Sequence, residues 1–157
     1  LTIRAARPDD AALIAQLVRE LADYERLSEH AVATPADLAE CLFGASPKAH
    51  ALIVESDGKP AGFCVYFYNF STFAGRAGIY VEDVFVRPEF RRQGLGRAIF
   101  QHLARKAVAE GCARMEWAVL NWNEPAIRFY ESLGAVALSD WRIERLSGAM
   151  LADFAKG

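Results

Sequence analysis

Apolar and polar positions alternate between two periods along this chain, and the switches between them outline the elements. Leu1–Ala6 reads as a strand. Pro8-Asp9-Asp10 then opens a helix in which Leu13, Ile14, Leu17, Val18 and Leu21 recur at helical spacing. Thr34-Pro35 marks the start of a second helix carrying Leu38 and Leu42. Ala51–Glu55 and Ala61–Tyr68 are β-prone apolar runs joined by the turn Ser56-Asp57-Gly58-Lys59. A loop at Asn69–Gly75 leads into a strand from Gly78 to Arg87. A helix follows over Leu95–Glu110, stopped by Gly111. Met115–Leu120 reads as a strand, Glu124–Leu133 as a helix stopped by Gly134, and Ala135–Leu138 and Trp141–Leu146 as two closing strands. No linker, repeat or low-complexity segment interrupts the order. The pattern predicts one α/β domain over residues 1–157, α+β-like, with local hairpins first and crossovers later in a mixed sheet.

At 157 residues the chain is long enough to bury a substantial core, and 53% hydrophobic against 24% charged residues suits a globular domain. No apolar run approaches the ~20 residues of a membrane helix, and no signal-peptide pattern opens the chain. A net charge of −2 speaks against a nucleic-acid partner. Cys41, Cys64 and Cys112 are odd in number and far apart, which suits thiols in a reducing cytoplasm better than a disulfide framework. His30, His50 and His102 lack neighbours at metal-ligand spacing, so no metal is expected.

Candidate chemistry concentrates in Val84–Gly96, VFVRPEFRRQGLG. A strand runs through a Pro-containing turn into Arg91-Arg92-Gln93-Gly94-Leu95-Gly96 at the head of an amphipathic helix. The glycines allow a tight bend and close backbone approach. The helix start offers N–H groups and the positive end of its dipole, and Arg91, Arg92 and Arg97 add charge suited to phosphate oxygens. A dinucleotide fingerprint would need glycine where Ile99 stands, and a P-loop would need Gly-Lys-Ser/Thr. A pyrophosphate cradle of another kind is expected.

The strand before it carries Glu82 and Asp83. Simple alternation puts the two on opposite faces, and an ionised carboxylate among apolar neighbours needs a cleft or a cation. Further on, Asn123 is placed to cap a helix with Pro125 in its first turn, and Ile127, Tyr130 and Gly134 fall on one side of it.

Arg91-x-x-Gly94-x-Gly96, with Asn123-x-x-Ala126-x-x-x-Tyr130-x-x-x-Gly134-Ala135 beginning 32 residues later, resembles the paired motifs of the GNAT N-acetyltransferases. Glu20–Glu25, Phe70–Arg76, Tyr80–Asp83 and Trp122–Pro125 are similar to the diamine (spermidine/spermine) acetyltransferase subfamily, and Ser71-Thr72 with Gly75-Arg76 to its thialysine branch. The resemblance runs from Ile3 to about Leu146 and weakens after Ala137, where the chain is shorter than the pattern. It implies the GNAT fold, a mixed sheet of about seven strands flanked by four to five helices, and acetyl transfer from acetyl-CoA to a primary amine of a small cationic molecule.

By the same resemblance, Tyr130 is the catalytic tyrosine and Glu82 the acid that handles the substrate amine through water. Val84, Phe85 and Val86 pair with the pantetheine arm. Arg91, Arg92, Gln93, Gly94, Leu95, Gly96 and Arg97 hold the pyrophosphate, and Asn123, Glu124, Pro125 and Ala126 flank the acetyl end. Tyr24, Glu25, Glu82, Glu116, Trp117 and Ala118 line the amine side. Asp83 and Asp140 have no role assigned at this level. The resemblance also implies a homodimer, the subfamily's usual form.

The chemistry suits these residue types. An alkylammonium with a pKa near ~10.4 must lose a proton before it can attack, which a carboxylate can relay. Backbone amides near Val84 can stabilise developing negative charge, and a phenol can protonate a departing thiolate. A non-catalytic acyl-CoA sensor on the same fold would need neither Tyr130 nor Glu82. A protein N-terminal or lysine acetyltransferase is the other alternative, since Glu25, Glu29 and Glu82 also suit a basic peptide.

Overall fold

The computed structural model describes residues 1–157. Five strands, β1 (Thr2–Ala5), β2 (His50–Ser56), β3 (Lys59–Ser71), β4 (Arg76–Val86) and β5 (Met115–Trp117), form one sheet in the order β1-β2-β3-β4-β5. The first three pairings are antiparallel and β4–β5 is parallel, so the sheet is mixed. Five helices accompany it: α1 (Ala11–Tyr24), α2 (Pro35–Phe43), α3 (Leu95–Ala109), α4 (Glu124–Ser132) and α5 (Gly148–Ala155). The backbone contacts divide the chain into two compact units, Leu1–Trp122 and Asn123–Gly157.

In the first unit the apolar stripe of α1 does what its spacing predicts. Ile14 and Leu17 are fully buried and join Leu42 of α2 against Ala51, Ile53, Phe63 and Phe85 of the sheet. Each such side chain taken wholly from water contributes about 1.5–3 kcal/mol. Thr34 caps α2 as expected, its hydroxyl accepting from the Asp37 N–H while the Asp37 carboxylate accepts from the Thr34 N–H. Ile99, Phe100 and Leu103 are the buried stripe of α3. Phe100 meets Trp117 of β5 edge-on, with ring centroids 4.7 Å apart.

Four expectations need correction. The sheet has five strands rather than about seven, because residues 135–138 and 141–146 form no ladder. Alternating apolar residues make a strand only where a neighbouring backbone accepts the hydrogen bonds, and these find none. The strand expected over Met115–Leu120 stops at Trp117. The fifth helix, α5, falls within the four to five that the resemblance implies but lies where the periodicity marks no helix, with Ser147 at its N-cap position before a run of helix-forming residues.

The fourth correction concerns Glu82 and Asp83. Val65 of β3 pairs with Asp83, but Tyr66 pairs with Val81, so Glu82 is an extra residue in β4. This β-bulge reverses the alternation. Val81 shares a face with Tyr66, whereas Asp83 shares the opposite face with Val65, Phe63 and Phe85, the side packed by α1 and α2. The bulge also explains the short β5, whose last pair is Val81↔Trp117. Beyond that point β4 runs on without a neighbour on its β5 side.

Candidate active site

The open edge of β4 is the first component. The Arg87 N–H donates to the Ala61 carbonyl of β3 at 2.9 Å. In a trans peptide the preceding carbonyl points the other way, so the Val86 oxygen faces away from β3. Residue-by-residue alternation sends the N–H and C=O of Val84 the same way. Beside the β3-paired Phe85, Val84 and Val86 therefore present backbone groups to a cleft that no strand fills, a place for an amide-bearing chain to add itself to the sheet.

The loop that follows is the second component. Arg92 (φ +63°) and Gly94 (φ +79°) both adopt the left-handed conformation. They turn the chain so that α3 starts at Leu95, and no side chain caps that helix. Leu95 is buried and anchors the turn. A β-carbon at Gly94 would meet no atom within 4 Å, so space lies open beside the helix start. Uncapped N–H groups, a positive dipole end and flanking guanidiniums make a fit for a pyrophosphate. Arg91 turns inward: its Nε donates to the Val86 carbonyl at 2.9 Å, and its guanidinium lies 4.9 Å from the Tyr24 ring and 5.6 Å from that of Phe85.

Tyr24 and Glu25, two of the residues expected on the amine side, lie where α1 ends. Tyr24 is the last residue of the helix and Glu25 its C-cap. The Tyr24 and Trp122 rings stand 6.2 Å apart, and the Arg26 guanidinium lies 4.5 Å above the Trp122 ring. Burial raises the Glu25 carboxyl above the usual carboxylate range. Asp83 is pushed further, up to about 7, first by burial and then by the negative charges of Glu82 and Glu25. Glu82 itself is exposed on the bulge. The structure thus brings Tyr24, Glu25 and Glu82 into one acidic, aromatic-walled region, and adds Asp83 and Arg26.

Glu116 and Trp117 have other partners. The Glu116 carboxylate accepts from Arg114 Nε at 2.9 Å and from Asn69 Nδ2 at 3.2 Å, and Trp117 packs against Phe100 of α3. Ala118 lies just past the end of β5. Burial first, then Glu82 and Glu116, raises the Tyr80 phenol, so Glu116 contributes field to this face even while paired. Cys64 is wholly buried and its thiol is pushed far up by burial, which disfavours a thiolate nucleophile.

In the second unit, Asn123 caps α4, its side-chain oxygen accepting from the Ala126 N–H at 3.4 Å, with Glu124 and Pro125 in the first turn. Tyr130 lies in the last turn, its ring 5.6 Å from that of Phe129, and its carbonyl accepts from the N–H groups of Leu133 and Ala135.

Motif and order in the sequence mark the loop, Glu82 and the α1 terminus as candidates. They do not single out Arg26, for which no motif exists, and they cannot foresee the environment of Asp83, which depends on the bulge.

A strand edge left open by a bulge, running into a glycine-turned helix start, defines an acyl-coenzyme A-dependent transferase fold. The family model for the Acetyltransferase (GNAT) family matches residues 14–135, and the chain belongs to that family. It is an N-acetyltransferase, with acetyl-CoA as the family's donor. It is 38% identical over 164 residues to a thialysine N-epsilon-acetyltransferase of Bos taurus, covering 98% of this chain and 96% of that protein. An L-ornithine N5-acetyltransferase of Arabidopsis thaliana is 31% identical, with coverages of 95% and 85%. Among solved structures, an integron cassette protein from the V. cholerae mobile metagenome superposes with a TM-score of 0.83 at 26% identity, covering 99% and 98% of the two chains.

Proposed function

We propose that this enzyme acetylates a primary amine of a small cationic molecule, a diamine, polyamine or lysine-like compound, by direct attack in a ternary complex. The observation that carries this reading is the exposed Glu82 on the bulge beside the open Val84–Val86 edge, with Glu25 near enough for both to act on Asp83, negative charge where an ammonium must be drawn in and deprotonated. Similarity to acetyltransferases named for thialysine and ornithine supports it.

Acetyl-CoA supplies an activated acetyl thioester when bound. Val84 and Val86 pair with its amide-bearing arm, and the backbone of Gly94–Gly96 with Arg91, Arg92, Gln93 and Arg97 holds its pyrophosphate. Asn123–Ala126 flank the acetyl end. Glu82, exposed on the bulge, attracts the ammonium and takes its proton through water. The Val84 N–H faces the open edge, where it stabilises developing negative charge. The Tyr130 hydroxyl gives a proton to the departing sulfur. Tyr24 and Glu25 wall the amine pocket, with Glu116, Trp117 and Ala118 at its far side.

The chain is proposed to act as a single domain over residues 1–157, as a homodimer in the cytoplasm. Three free cysteines support a reducing compartment. The exposed Phe70 and Phe73 of the β3–β4 hairpin, with Val136, Trp141 and Ile143, support self-association. No helix is long and apolar enough to cross a membrane.

Thiol release from acetyl-CoA, measured against a panel of diamines, polyamines and ω-amino acids, tests the reading. Turnover with at least one small amine is expected. Coenzyme binding without turnover of any amine would favour a sensor instead.

A further inference from the structure

Arg91 stands where the open strand edge, the phosphate loop and the end of α1 come together. It follows the single turn Pro88–Phe90 in extended backbone, at φ −71° and ψ 163°. From there its side chain folds back onto β4. The Nε donates to the Val86 carbonyl at 2.9 Å, and the guanidinium lies 4.9 Å from the Tyr24 ring and 5.6 Å from the Phe85 ring. That carbonyl is one of the backbone groups that β4 turns away from β3.

Three features mark this contact as one that gives way. The acceptor is wanted twice: an amide-bearing chain that adds itself to the edge of β4 takes the Val86 oxygen by ordinary ladder pairing. A charged side chain laid on an open edge keeps it from pairing unprompted, and Arg91 covers this one. Next, Arg91 is exposed and lacks a carboxylate, whereas Arg4 is paired with Asp10 and Glu55, Arg87 with Glu20 and Arg114 with Glu116. Two rings and one neutral oxygen hold it, and an anion is the partner it lacks. Finally, the same loop leads straight to the uncapped helix start at Leu95, the place suited to a pyrophosphate. One guanidinium therefore has two competing calls on it, a carbonyl on the edge and an anion at the helix start.

We infer that Arg91 is a latch with two positions: it covers the Val86 carbonyl and packs on Tyr24 until an acyl-coenzyme A takes that carbonyl with its amide arm and draws the guanidinium to its pyrophosphate. Loading the coenzyme then also lifts a cation from the Tyr24 ring at the end of α1, so the two sides of the site are coupled through one residue. This rests on the proposed coenzyme site and adds to it the state of Arg91 before the coenzyme arrives.

Pantetheine, which has the amide arm without the pyrophosphate, and coenzyme A, which has both, separate the two positions. Their affinities are measured by calorimetry and competition in wild type, Arg91→Ala and Tyr24→Leu. Arg91→Ala has no latch, so pantetheine should bind at least ~3-fold more tightly, the edge being free in every molecule. The ratio of coenzyme A affinity to pantetheine affinity should fall at least ~10-fold, because the pyrophosphate loses a charge-assisted hydrogen bond. Tyr24→Leu loosens the latch but keeps the arginine, so both ligands should tighten by a similar ~2–5-fold. A nitrogen-15 spectrum gives a readout independent of affinity: the Arg91 Nε–H signal, identified by its loss in Arg91→Ala, should shift when pantetheine saturates wild type. Pantetheine affinity unchanged or lowered in both variants, or an Arg91 signal that pantetheine leaves unmoved, would overturn the latch while leaving the coenzyme site standing. An unchanged affinity ratio in Arg91→Ala would overturn the position on the pyrophosphate. No binding of coenzyme A to wild type would overturn the proposed coenzyme site and this inference with it.

Discussion

Tyr130, Glu82 and Asp83 differ in how far sequence alone could define them, and each has its own test. Tyr130→Phe removes one phenolic proton donor. Turnover should fall within the ~10²–10⁴-fold range of general acid–base catalysis, with acetyl-CoA affinity measured by calorimetry nearly unchanged. Wild-type turnover would return Tyr130 to a packing role. Glu82→Gln keeps size but loses the charge proposed to draw in an ammonium and accept its proton. The expected result is a raised KM and a pH–rate profile displaced toward alkaline pH, where free amine is abundant; superimposable profiles would remove Glu82 from the proton path. Asp83 is a stability matter first. Its folded-state pKa of about 7 exceeds the model-peptide value near 3.8, so the native chain binds more protons than the unfolded chain between those values. Stability from this group is therefore present at low pH and lost as pH rises through about 7. Asp83→Asn should flatten that slope, by at most ~4 kcal/mol across the window, and chemical denaturation at pH 4 and pH 8 reads it. A variant with the wild-type slope would contradict the buried, charge-crowded environment.

At the scale of elements, the loop between β4 and α3 was readable because its requirement is local. A left-handed residue before an uncapped helix start asks for glycine, and Gly94 stands there at φ +79°. Gly94→Val should cost about 1–2 kcal/mol in unfolding free energy from backbone strain alone, since a β-carbon there meets open space. It should weaken acetyl-CoA binding at least ~10-fold by turning the helix-start amides away from the pyrophosphate; unchanged affinity would remove the loop from the site. The β4 bulge was not readable. Tyr80–Phe85 has the composition of an unbroken strand, and only the register forced by Tyr66↔Val81 and Val65↔Asp83 extrudes Glu82. The closing strands failed for a related reason: period-two alternation at Val136, Leu138, Trp141 and Ile143 states a preference that a partner strand must complete.

Across the molecule, α1 is tied to the sheet by one ion pair far apart in sequence. Arg87, just past β4, reaches both Glu20 carboxylate oxygens at 2.9 Å and the Pro60 carbonyl at 3.0 Å. Truncation in Arg87→Ala should cost about 2 kcal/mol in urea denaturation. Because α1 ends in Tyr24 and Glu25, it should also raise KM for the amine more than for acetyl-CoA. Equal effects on both would show that the pair stabilises without positioning the amine pocket. The proposed homodimer predicts a dimer mass by light scattering, and a monomer would leave the exposed hairpin phenylalanines without that explanation.

The order of elements, the apolar faces of α1 and α3, the cap of α2, the glycine-turned loop and the family motifs were determined by the sequence, because each depends on residues within a few turns or strand lengths of one another. Tertiary structure decided what depends on register and on distant partners. Strand pairing places the bulge at Glu82 and turns the half-buried Asp83 to the sheet face that α1 and α2 cover. The early end of β5 opens the edge at Val84 and Val86. The meeting of the α1 terminus with the segment after β5 sets Arg26 on Trp122, since side chains nearly a hundred residues apart acquire a common environment only when the chain between them has folded.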